Sequence, residues 1–442
     1  LAAVAVLSAA GAGGDLPDVH LTRRRMLPLL ALAALLLGSG VAAASYFGRR
    51  AAREAPDFAV VGTGLRVRVL GIDGLDPRMA AQMAAEMPAL HRFLGQAARA
   101  RMTVEPEQVP ALVWTTVATG RGPQAHGIVS MGARRLAGMR TPVALDEQGL
   151  VARTLARGAD LLRVGRAEPP TAVLRGVKAF WNVAAEKGLR VGVVNWWATW
   201  PADAVNGYVV SDRAFFKLEK GGAPEREVHP PELFERLRPL AAALPAAEGE
   251  SDRARRLDAF HFQAARTLRG SAPPDLEAVY LSGLDIATML QIGEAGADLA
   301  TLDARLRAVR AHYARMDALI GEWAASAQPG EVLVLVADPG RLARRAGSPE
   351  GLLALQGGPA AAADVGLVSE RDVAPTILHL LGIPRSDELE GRVVEEAFSP
   401  EFRSARPVRR VAGYGRRRPA APSRSEFDRA ILEELRSLGY IQ

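Results

Sequence analysis

The 442-residue chain contains no cysteine. That excludes disulfides, thiolate nucleophiles and zinc–thiolate centres, so any metal must be held by Asp, Glu or His. Histidine is itself scarce, with seven in all: His20, His91, His126, His229, His261, His312 and His379. Aromatic residues make up only 5% and are not interleaved with the arginines. No nucleic-acid partner is therefore expected, although the net charge is +6. Attraction to anionic substrates or lipid head groups fits that charge equally. No internal repeat is present.

One apolar stretch has the length of a membrane span. It follows Arg23-Arg24-Arg25 and runs to about Phe47. Residues 1–55 are read as an export signal or membrane anchor with its leader. Ala42-Ala43-Ala44 offers a small-residue cleavage site, and if uncut the same segment anchors the protein to the membrane. Both readings place the main domain in the periplasm or cell envelope. That domain is expected over residues 56–412, with an insertion at about 213–275, and residues 413–442 read as a basic linker and a C-terminal helix.

From Leu65 onward strand and helix patterns alternate. Leu65, Val67, Val69, Leu70 and Ile72 form a strand pattern that ends in Gly71-Ile72-Asp73-Gly74. A helix is expected over Arg78–Ala98, a strand over Val191–Val194, and a strand over Leu276–Leu281 that leads to Asp285. A long amphipathic helix is expected over Leu302–Trp323, a strand over Val332–Ala337 that ends at Asp338, and helices over Asp372–Leu381 and Ser425–Leu438. This order predicts an α/β fold: a doubly wound, mostly parallel sheet with helices on both faces, plus an inserted helical region.

Three expected strands thus deliver Asp73, Asp285 and Asp338 towards one sheet edge. Adjacent carboxylates repel and raise each other's pKa unless a cation neutralises them, so these three are the candidate metal ligands. The alternative is that each caps a helix or forms a turn. Trp196, Trp197 and Trp200 either line a pocket or pack in the core.

In order along the chain, LGIDGLDP, WTTVATGRGPQAHGI, VGVVNWWATWPADAVNGYVVSD, VYLSGLD and DVAPTILHLLGIP resemble the type I phosphodiesterase/nucleotide pyrophosphatase branch of the alkaline phosphatase superfamily. The terminal EELRSLGYI also fits. The resemblance implies an alkaline-phosphatase-like fold, two divalent metals, usually zinc, and a Ser or Thr nucleophile that attacks phosphorus. Asp73, Asp285 and Asp338 fall on metal-ligand positions. The histidine positions are occupied by Met289, Pro339 and about Gly347. The nucleophile position falls on Val109, Pro110 or Ala111, none of which has a hydroxyl. Thr115 and Thr116 match positions that pack behind the nucleophile.

Two readings follow. The first is a degenerate member, inactive towards phosphate esters, with a binding or scaffold role and no cofactor. The second is an active hydrolase with a rewired site, in which the carboxylates alone hold Mg²⁺, Mn²⁺ or Ca²⁺. A third role, binding at the envelope through the 213–275 region and Arg416-Arg417-Arg418, rests on charge alone.

Overall fold

The computed structural model describes residues 57–105, 108–136, 143–144, 165–222, 224–270, 273–292, 299–347, 349–418, 425–437 and 440. The expected signal or anchor lies outside them. Among the described residues no helix is long and apolar enough to cross a membrane.

The chain begins with β1 (Arg66–Asp73), α1 (Pro77–Gln82), α2 (Pro88–Gly95), β2 (Ala98–Thr103), α3 (Pro110–Thr119) and α4 (Pro123–His126). A small sheet of β3 (Ala133–Leu136), β4 (Val143–Ala144) and β5 (Gly165–Glu168) follows. Then come α5 (Phe180–Glu186), β6 (Val191–Val194), β7 (Gly207–Val210), α6 (Ala214–Lys220), β8 (Val228–His229), α7 (Leu233–Ala242) and α8 (Glu250–Arg269). The last part holds β9 (Leu276–Leu281), α9 (Gly283–Ile292), α10 (Leu299–Ala325), β10 (Glu331–Asp338), α11 (Gly340–Arg345), β11 (Glu350–Gln356), β12 (Asp364–Ser369) and α12 (Val373–Leu380). A short pair, β13 (Arg385–Ser386) and β14 (Arg410–Val411), flanks α13 (Pro400–Ala405), and α14 (Asp428–Ser437) comes last.

The main sheet has nine strands in the order β12-β2-β11-β10-β1-β9-β6-β7-β8. Its centre is parallel, from β10 through β1, β9 and β6 to β7, whereas β11 and β8 run antiparallel to their inner neighbours. The α/β expectation therefore holds. The helix expected over Arg78–Ala98 is corrected. It breaks into α1 and α2, because Pro88 starts a new helix, and Ala98 already belongs to β2.

β1 shows why the centre is stable. Its alternation sends Val67, Val69 and Gly71 to one face and Leu70 and Ile72 to the other, and the four side chains are at most 1% exposed. The two sets join separate apolar clusters, one on each face. Each such burial contributes about 1.5–3 kcal/mol. Gly71 is required by packing: a Cβ there would lie 2.5 Å from the Trp114 ring, which α3 lays across the strand.

The same three central strands are tied at their amino ends by charge. Arg68 of β1 pairs with Glu277 of β9 at 3.4 Å and with Glu331 of β10 at 3.5 Å, and Arg269 of α8 joins both carboxylates. All four side chains are buried or nearly so.

Candidate functional site

At the carboxyl ends of these strands, Asp73 and Asp338 are register partners on β1 and β10. Asp285 arrives differently from expectation. β9 ends at Leu281, and Asp285 sits in the first turn of α9. Asp258 of α8 accepts the Gly283 amide at 2.9 Å and so fixes where α9 begins. Gly74, with φ +88°, lets β1 turn directly beneath that helix: a Cβ on it would lie 2.3 Å from the Asp285 nitrogen.

The three aspartates are thus brought to one place, each at most 1% exposed. Asp73 is not the cap of the next helix; Asp76 takes that role, accepting the Arg78 amide at 2.8 Å. Asp73 instead accepts a 2.8 Å hydrogen bond from the Tyr280 hydroxyl.

The sequence reading missed what these carboxylates face. α11 carries Arg341 and Arg344 one turn apart, directly after Asp338. Asp285 accepts from the Arg341 amide at 2.8 Å and from its Nε at 2.7 Å. Asp338 accepts the Gly340 amide at 2.7 Å and pairs with Arg344. Both guanidiniums are buried. Burial opposes their charge, but the aspartates outweigh it and hold both above the ordinary arginine value. Among the described residues no guanidinium pairs with Asp73, since Arg341 is held by Asp285 and Arg344 by Asp338. Burial, then Asp285 and Asp338, push the Asp73 carboxyl well above the usual range, with Arg344 and Tyr280 only partly opposing.

Tyr440 closes the group. Its ring lies 3.7 Å from the Arg341 guanidinium carbon, and its edge meets Trp197 at 5.9 Å. Tyr440 and Leu435 also join an apolar cluster with Ala111, Ile128, Met131 and Ile286, against which Val109 and Leu112 pack. The expected nucleophile position, at the start of α3, is thus embedded in hydrocarbon. Beside it Glu370 is 1% exposed with neither carboxyl oxygen hydrogen-bonded, and burial pushes it up to about 8.

The remaining candidates have structural partners. Thr115 donates to the Ala111 carbonyl at 2.6 Å, and Thr116 lies 3.2 Å from His126 Nε2. His126 Nδ1 accepts the Ile128 amide, and burial lowers its pKa to about 3. His261 packs beside Phe260 and Phe215, with ring centroids 5.1 and 6.0 Å away. Trp196 and Trp200 are core residues, whereas Trp197 lines a pocket. Met289 lies on α9, Pro339 precedes α11 and Gly347 follows it.

These residues do not suit the two-metal centre that the resemblance implies. A catalytic zinc needs about three protein ligands. Here two of the three carboxylates are already held by guanidinium cations, and a divalent ion would have to share the pocket with them. Among the described residues no group of three or more His, Asp or Glu side chains is arranged to hold a metal ion.

Comparison with known proteins gives one sequence-level match. The profile of the type I phosphodiesterase/nucleotide pyrophosphatase family matches residues 67–342. No curated protein matches the sequence. Similar solved structures include phosphonoacetate hydrolase from Sinorhizobium meliloti 1021 in complex with phosphonoformate, at 17% identity and a TM-score of 0.35. That likeness covers 64% of this chain and 60% of the hydrolase, so the chain spans less than two thirds of that relative's length. A second is Ps i-CgsB, at 13% identity and a TM-score of 0.40 over 76% of each chain. A complex of the latter with k-i-k-neocarrahexaose gives 12% identity and 0.38 over 74% of each.

Proposed function

Because the chain belongs to the type I phosphodiesterase/nucleotide pyrophosphatase family, its departures bear directly on that chemistry, and we propose that it is a non-hydrolytic member that keeps the fold and acts by binding. One observation carries this reading: Asp285 and Asp338 are neutralised from within the chain by Arg341 and Arg344. In a two-metal hydrolase the cations clamp the attacking and leaving oxygens of the phosphoryl group. A guanidinium bound edge-on to an aspartate offers no open coordination position to a nucleophile. The nucleophile position supports the same reading, since Val109, Pro110 and Ala111 have no side-chain hydroxyl to attack with. The arginine-led apolar stretch before Phe47 supports an extracytoplasmic setting for that binding role.

The test is turnover of an aryl phosphodiester and an aryl monoester by the purified full chain. It is run with zinc, manganese, magnesium or EDTA beside an Asp73→Asn control, with metal content measured on the same samples. No turnover above the control and no stoichiometric metal are expected. Metal-dependent turnover that is lost in the control would overturn the proposal and favour a rewired hydrolase.

A further inference from the structure

We propose that the pocket beneath α14 binds a single-ring phenol. The pocket measures about 120 Å³ and lies between α14, α6, α8 and the loop after β6. The pocket is partly open, and its volume is of the order of the roughly 150 Å³ enclosed apolar cavity that holds benzene, which suits one ring and no more. Its apolar walls are Trp197, Phe215, Phe216, Ile286, Ile431 and Leu435. Ring edges and aliphatic side chains around a space of this size favour an inserted aromatic ring.

Polar groups at the same pocket define the substituent. Asp212 is fully used, because it accepts the Ala198 and Trp200 amides, each at 3.0 Å. Glu219 is paired with Arg256 at 2.8 Å. Among the described residues three buried atoms on lining residues have no hydrogen-bond partner: Arg213 Nη2, Glu434 Oε2 and the Tyr440 hydroxyl. Arg213 otherwise pairs with Asp428, and Glu434 otherwise takes Arg253 at 2.8 Å. A buried polar group without a partner carries a desolvation penalty, so a guest that satisfies these atoms is favoured. Arg213 can only donate and the Glu434 carboxylate can only accept, so the matching group must do both. A hydroxyl does. Both lining guanidiniums already hold a carboxylate, Arg213 that of Asp428 and Arg253 that of Glu434, which disfavours an anionic guest. The inference does not depend on whether the paired aspartates turn over phosphate esters.

The test uses the full chain with 4-methylphenol, toluene and benzoate, followed by saturation-transfer NMR and calorimetry. 4-Methylphenol should bind, toluene at least about tenfold more weakly, and benzoate not measurably. Ile431→Trp, on the half-buried face of α14, fills the cavity and should abolish binding while the circular dichroism spectrum is unchanged. Phe216→Leu, a milder change on α6, should weaken 4-methylphenol several-fold. Failure of 4-methylphenol to bind, equal or tighter binding of toluene or benzoate, or unchanged affinity in both variants would overturn the proposal.

Discussion

Arg344→Met removes the guanidinium that Asp338 depends on and keeps the length of an apolar stem. Both side chains are about 1% exposed. Breaking a buried pair by removing one partner costs about 3–5 kcal/mol, because the other charge stays buried. Asp338 then keeps only the Gly340 amide, and three aspartates face Arg341 alone. Arg344 is also the guanidinium that most opposes the raised pKa of Asp73, so removing it moves the Asp73 carboxyl further up. The sign follows. An acid whose folded pKa is raised holds its proton longer when folded, so the deficit is full above the folded pKa and shrinks as pH falls towards the unfolded value near 4. Urea unfolding followed by circular dichroism should show a loss of about 3–5 kcal/mol at pH 8, a clearly smaller loss at pH 5, and an unchanged denaturant slope. Adding Asp338→Asn to the variant should recover part of the pH 8 loss. A loss under about 1 kcal/mol at pH 8, or one equal at both pH values, would refute the view that Arg344 neutralises this centre.

Glu370, pushed up to about 8 by burial, costs stability as pH rises through its window from the ordinary carboxylate value. Glu370→Gln has no proton to lose, so its stability relative to the parent should grow between about pH 5 and pH 8 and then level off; parallel curves across that range would count against it. Gly71→Ala puts a methyl 2.5 Å from the Trp114 ring and should destabilise by about 1–3 kcal/mol in thermal or urea unfolding, with a changed tryptophan spectrum.

The central strands were legible because β1, β9 and β10 are rich in Val, Leu and Ile and, apart from Arg68 and Glu277, apolar inside, and each leads into glycine or aspartate, the pattern of strands buried on both faces. β2 was not. Its sequence alternates, with Arg99 and Arg101 exposed, and it follows a methionine and leucine spacing that reads on as helix across Pro88. The convergence of Asp73, Asp285 and Asp338 was legible from strand ends, although Asp285 reaches the edge from a helix turn. Arg341 and Arg344 carried a local signal, since three-residue spacing directly after Asp338 puts both on one helix face. Tyr440 carried none: a ring over Arg341 is a tertiary contact that no local pattern encodes.

The position of β1 has a consequence for how the molecule assembles. It is the first described strand, yet its partners lie far along the chain: Arg68 and Glu277 are 209 residues apart, and Arg68 and Glu331 are 263 apart. Contacts of such separation make folding slow, because the loops must close before the pairing stabilises anything. During synthesis an apolar strand with two open edges waits for β9 and β10 to emerge, which is the circumstance in which nascent chains aggregate or engage chaperones. Arg66 and Arg68, set among the valines of that strand, are charges of the kind that discourage edge pairing, and in the folded chain both are salt-bridged.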